Sequence, residues 1–304
     1  AASKPRKSGN PPSKTAAKPA SKAVVAKPSK AIKKQPAART PGAGFSLEPV
    51  YAAIRKRTPA ARQAEAVVFA ESFYQRMEDD EYPHHTPEGW AALACDMLDF
   101  ARVRKPGNAN VRVFNATLKS HGWESPHTVL QIVNEDMPFL VDSVSLALAE
   151  IGVGVHVLGH PLVRFTRDKS GKVSAVGEGK PESLMLLEID RQPAAQMQVI
   201  ETRVRAVLEE VRAIVRDWSA MRETMLTVAD DLSTRRMPVG PEGRREAQEF
   251  LRWAAADHFT LFGYREYRVE KSTGILAAVE DSGLGLMREG DTTPPRNMKS
   301  LAAH

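Results

Sequence analysis

From Thr128 to Trp218 the spacing of apolar residues changes period in a fixed order, and that order narrows the fold more than any other feature of the chain. Thr128 to Val133 is a nearly continuous apolar run and reads as a strand. Asp136 and Pro138 then open a helix whose stripe is Leu140, Val141, Val144, Leu148 and Ile151, stopped by Gly152. Val153 to Phe165 alternates as a long strand, Asp168 to Lys172 makes a turn, and Leu184 to Ile189 is a further strand. The longest helix follows. Pro193 stands at its start, and Met197, Ile200, Val204, Val207, Leu208, Val211, Ile214, Val215 and Trp218 form one apolar face. Strand, helix, strand, strand, helix makes five of the six elements of a βαββαβ, ferredoxin-like unit, an α+β fold with both helices on one face of an antiparallel sheet.

Upstream, residues 44–107 read as helical. Val50 and Ile54, then Ala64, Val68, Phe69, Phe73 and Met77, recur at helical spacing on either side of Thr58-Pro59, which breaks the run into two helices. A third helix is predicted from Pro87, capped by Thr86, to Arg104, with Trp90, Leu93, Met97, Leu98 and Ala101 buried. Val111, Val113 and Phe114 form a short run that pairs as a hairpin with Thr128 to Val133. The α+β unit is thus placed at residues 108–236. Residues 237–304 carry a helix over about Glu242 to His258 and a strand over Phe259 to Val269, which either completes the sheet or begins a second α+β unit.

Charge bears on partners only when divided along the chain. Eleven of the 43 Lys and Arg, and none of the 37 Asp and Glu, fall in residues 1–43, so the rest is mildly acidic despite the formal net charge of +6. That Lys/Ala/Pro-rich tail has no apolar period with which to offset its ordering entropy and is expected to be disordered. It has no aromatic residue for bases to stack on, so nucleic-acid binding is disfavoured. No apolar run reaches the roughly 18 residues of a membrane span, and the single Cys95 fits a reducing compartment, so a cytoplasmic protein without a membrane partner is expected. The Ala at position 1 and the unclosed segment after Thr292 read as the ends of a fragment.

No catalytic residue, cofactor site or metal centre can be assigned from the residue patterns. Gly283-Leu284-Gly285 has Arg288 where a dinucleotide turn needs a small residue and is read as a loop or strand end. His84-His85 beside Asp79, Asp80 and Glu81 read as a solvated loop, His156 and His160 as one half-exposed strand face, and Cys95 as a small apolar helix residue. Asn134, Glu135 and Asp136 are the most suggestive cluster. They occupy a strand-to-helix junction where free amides and polar side chains can hold an effector, or where Asp136 can cap the helix.

A long string of residues then carries a family likeness. Val111-Arg112-Val113-Phe114-Asn115, His121 to Thr128 (HGWESPHT) and Ile132 to Val144 (IVNEDMPFLVDSV) resemble the N-terminal region of the large bacterial NAD-specific glutamate dehydrogenases. Val155-His156, His160-Pro161, Glu188-Ile189-Asp190, Val215-Arg216-Asp217-Trp218, Phe250 to Trp253, Asp257 to Tyr267 and Gly283 to Leu286 agree in order. The resemblance implies ACT-like domains that associate into homo-oligomers. It also implies a parent enzyme that oxidatively deaminates L-glutamate to 2-oxoglutarate and ammonia, binding NAD and glutamate outside these residues. One departure stands out: the Asp-x-Pro-Gly that opens the first helix of ACT-type domains reads Asp136-Met137-Pro138-Phe139 here, which puts an aromatic side chain in the space of a small ligand. Two other readings are a free-standing amino-acid-sensing module and a basic-tailed protein associated with nucleic acid.

Overall fold

The computed structural model describes residues 46–75, 86–234, 239–270, 275–290 and 293. The tail 1–43, Met77 and the His84-His85 segment lie outside them. Three helices come first. α1 (Glu48–Arg57) ends where Thr58, the residue before Pro59, is forced into an extended conformation, and α2 (Ala60–Tyr74) starts directly after that proline. α2 buries Ala66, Phe69, Ala70, Phe73 and Tyr74, whereas Ala64 and Val68, expected in the stripe, face outward. Adjacent residues point about 100° apart on a helix, so the larger area of Phe69 and Phe73 sets the inward face and turns Val68 away. α3 (Pro87–Ala101) is capped by Thr86, whose hydroxyl accepts from the Gly89 amide, and it buries all five expected residues. It stops at Ala101 rather than Arg104 because residues 102–104 leave the helix to pair with a hairpin, the Arg104 amide donating to Gly171 O and the Val173 amide to Arg102 O.

The sheet comprises β1 (Asn110–Phe114), then, beyond the single turn α4 (Leu118–His121), β2 (Thr128–Glu135). After α5 (Leu140–Glu150) come β3 (Val155–Gly159), β4 (Leu162–Arg167), β5 (Val173–Val176) and β6 (Lys180–Ile189). Its order is β1-β2-β6-β4-β5, every pairing antiparallel, with β3 lying beside the other half of β6. The strand read from Val153 to Phe165 is therefore two strands, divided at His160-Pro161 and both laid along β6. The expected hairpin forms, with Val111 opposite Ile132. β1 occupies the place beside β2 that the last strand of a βαββαβ unit would take. Arg205 from the helix after β6 donates to the carbonyls of Ala109 and Val111 on this edge.

Both faces of the sheet are covered. α5 and α6 (Ala194–Thr234) bury Leu130, Ile132, Met185, Leu187 and Ile189 on one side, while α1 to α3 bury Val129, Val133, Leu184 and Leu186 on the other. This is why Val129 to Val133 of β2 and Leu184 to Leu187 of β6 read as nearly continuous apolar runs: alternate residues meet different cores. α6 is 41 residues long, about 60 Å at 1.5 Å per residue, and runs well past Trp218, where the apolar stripe was expected to end. Its second half buries Met221 and Ala229 and carries α7 (Pro241–Trp253), joined by Gln248 Nε2 donating to Ala229 O at 2.8 Å and Arg252 donating to Asp230 at 2.9 Å. After a wide turn at Ala254–His258 come four short strands, β7 (Gly263–Tyr264), β8 (Tyr267–Val269), β9 (Leu276–Ala278) and β10 (Leu284–Gly285). Among the described residues β7 pairs with β10 and β8 with β9, apart from the main sheet.

Candidate functional site

Strand alternation puts Glu182 on the same face of β6 as Leu184 and Leu186, where a carboxylate is dry and only 3% exposed. Two arginines make that tolerable. Arg104, just past α3, donates to it through Nε (3.1 Å) and Nη2 (3.0 Å), and Arg167, at the end of β4, through Nε (2.6 Å) and Nη2 (2.8 Å). The remaining Nη1 groups are satisfied by Asn108 O at 2.9 Å and Gly171 O at 2.8 Å. Burial alone pushes the Glu182 carboxyl up, but donation from both guanidinium groups outweighs it and holds the group below the usual glutamate value. This triad forms one wall of an open cavity of about 630 Å³, rimmed by Glu135 and Asp136, with Glu135 Oε1 lying 3.6 Å from Arg104 Nη1.

The three residues picked out in the sequence are thus split between two sides of the sheet. Asn134 is fully buried toward α6, where its Oδ1 accepts from Arg212 Nη2 at 2.6 Å and its Nδ2 donates to Glu135 O. Glu135 and Asp136 are exposed on the cavity rim. Asp136 does not cap α5. The N-cap is Phe139, which has φ 71° and makes no side-chain cap bond. Phe139 is 37% exposed and does not line this cavity. A left-handed conformation costs a residue with a Cβ about 1–2 kcal/mol, partly offset by the greater freedom glycine has when unfolded. Phe139→Gly is therefore expected to raise stability by about 0.5–1 kcal/mol in urea titration. A lowered midpoint would mean that the ring makes contacts worth more than the strain.

The other candidates fall into structural roles. His156 pairs with Asp190 (2.8 Å) and stacks on His127, His160 meets Ser183 Oγ at 2.5 Å, and Cys95 packs against the helical core with Thr58 Oγ1 at 3.6 Å. Among the described residues no cluster suits a metal ion. Gly283 and Gly285 allow close backbone approach: a Cβ on Gly285, at φ 58°, would stand 2.4 Å from Phe262 O. The Gly285 amide donates to Asp217 Oδ2 at 2.8 Å, and Arg288 grips the same carboxylate through Nε (2.8 Å) and Nη2 (2.7 Å). Those donations, Arg288 first, hold the buried Asp217 down at about 2. Sequence reading passed over Arg104, Arg167, Glu182, Arg212 and Asp217. Asp217 alone left a local sign, a carboxylate at an inward position between Ile214 and Met221.

An antiparallel α+β sheet with α5 and α6 on one face, and its fourth strand drawn from upstream, is an ACT-like domain. The family model described as "Glutamate dehydrogenase, ACT1 domain" matches residues 69–204. The chain is 33% identical over 246 residues to the NAD-specific glutamate dehydrogenase of Halomonas elongata and 31% identical over 234 residues to that of Pseudomonas aeruginosa, which covers 77% and 74% of the chain. A Mycobacterium tuberculosis protein of the same name is 26% identical over 176 residues, 55% of the chain. These matches place the chain in the N-terminal, ACT-domain region of the NAD-specific glutamate dehydrogenase family. The matched stretches span 15%, 14% and 11% of those relatives' lengths.

Proposed function

We propose that this chain is a regulatory and assembly region of an enzyme that oxidatively deaminates L-glutamate to 2-oxoglutarate and ammonia with NAD as acceptor. The ACT1 match over residues 69–204, which takes in the whole six-stranded sheet, α3 and α5, carries the reading. Glutamate and NAD bind elsewhere in the parent polypeptide, which works as a cytoplasmic homo-oligomer through its ACT-like domains. The Asn134–Asp136 junction is where an effector signal enters, since Asn134 ties β2 to α6 while Glu135 and Asp136 rim an open cavity. No helix among the described residues is long and apolar enough to cross a membrane.

The test compares the polypeptide made from the intact gene with these 304 residues alone, following glutamate-dependent NADH formation. Turnover by the intact polypeptide and none by the 304 residues is the expected result. Activity in the 304 residues, or none in the intact polypeptide, refutes the assignment.

A further inference from the structure

We propose that the cleft between α6 and the Gly283–Arg288 segment binds a small anion bearing a carboxylate or phosphate group, held by Arg212, Arg216 and Arg288. Arg216 Nε and Arg288 Nη2 lie 3.3 Å and 2.7 Å from the same oxygen, Asp217 Oδ1, so two guanidinium groups converge on one carboxylate. One carboxylate neutralises only one of them. Both arginines line a cavity of about 340 Å³, and the third cation on its wall is Arg212, one helical turn before Arg216.

Arg212 is the least satisfied of the three. Its Nη2 is fixed by Asn134, while its buried Nε has no hydrogen-bond partner among the described residues. Buried donors are seldom left open in a folded protein, and an unpaired one costs about 1–3 kcal/mol. Burial, helped by the neighbouring Arg104, outweighs the pull of Glu135 and Glu209 and lowers the Arg212 pKa. Glu135 and Glu209 offset only part of that burial; Glu209, Glu210 and Glu289 are exposed on the rim, and Glu210 faces Arg203 at 3.7 Å. A carboxylate or phosphate in the cavity supplies acceptors to the three guanidinium groups that line it, in the planar geometry that guanidinium favours.

The site deepens the regulatory reading and depends on it for its biological role. Arg212 joins the cavity to Asn134 and so to β2, while Arg288 and Gly285 join it to the segment after β9. A ligand here touches both parts at once. Its occupancy therefore biases how the long helix holds the residues after Gly283.

Isothermal titration calorimetry on the 304-residue chain, at fixed ionic strength with chloride as the control anion, tests the site with inorganic phosphate in one arm and 2-oxoglutarate in the other. Saturable binding of either probe beyond chloride is expected, weakened about tenfold or more in Arg212→Gln and in Arg216→Gln, as losing one charge-assisted hydrogen bond entails. Arg216 is 56% exposed, so its replacement should leave the fold, followed by circular dichroism, unchanged. The tighter arm tells a phosphoryl ligand from a dicarboxylate. No saturable heat from either probe, or an affinity in either variant equal to that of the unsubstituted chain, overturns the proposal. Because binding is read without turnover, an inactive parent would refute the functional assignment and leave this site intact.

Discussion

Glu182→Ala is expected to cost about 3–5 kcal/mol of folding stability, more than any other single change to the sheet's polar groups. The carboxylate itself is not the source of that loss. Removing it leaves Arg104 and Arg167, 5% and 10% exposed at the side chain, as two crowded guanidinium groups with only Glu135, 3.6 Å from Arg104, as remaining counter-charge. Replacing all three residues by apolar side chains of similar volume should recover most of the loss, since the penalty lies in unpaired charge rather than in the absence of a favourable pair. Acid gives an independent check. The folded carboxyl lies below its ordinary value of 4.5, so its contribution is complete above that pH and fades as pH falls through the lower folded value. Urea titrations should show the gap between parent and variant narrowing in acid. A neutral-pH difference under about 1 kcal/mol would show that the triad is solvated in solution.

Asp217→Asn should loosen the segment from Gly283 to Arg288 while leaving the main sheet folded. The group drops from 3.8 to about 2 on folding, worth about 2 kcal/mol at neutral pH. At about 1.4 kcal/mol per tenfold this predicts roughly 30-fold faster hydrogen exchange at the Gly285 amide, which donates to that carboxylate. The depressed value fixes the sign: the protection is full above 3.8 and is lost as pH falls toward 2. Amides of β2 and β6 should exchange as before. Unchanged exchange at Gly285, or equal acceleration in β2, would mean that this carboxylate does not secure the segment.

What could be read from the sequence was whatever depends on periodicity within a single element. The α3 stripe, the α5 stop at Gly152 and the hairpin of Val111 with Ile132 all follow from local spacing and turn residues. Pairings between distant charges do not. Arg104 meets Glu182 across 78 residues and Arg288 meets Asp217 across 71, and no local period announces either. The second helical layer was hidden for a related reason. A strand buried on both faces has the same apolar run whichever elements cover it, so Val129 and Val133 could not say that α1 to α3 lie above them. Asn134, Glu135 and Asp136 were singled out as one cluster because adjacency in sequence conceals alternation in a strand, which sends Asn134 to α6 and Glu135 to the opposite rim.

α6 leaves the sheet and continues as a stiff lever. About half of its 60 Å, roughly 30 Å, lies beyond the sheet, so a tilt of about 5° where it rests on β2 and β6 swings its far end by roughly 2.5 Å. α7 rides on that far half, so a sub-ångström adjustment under the lever's short arm reaches α7 magnified. The fold can thereby turn a small event at the sheet into a displacement large enough to make or break a contact.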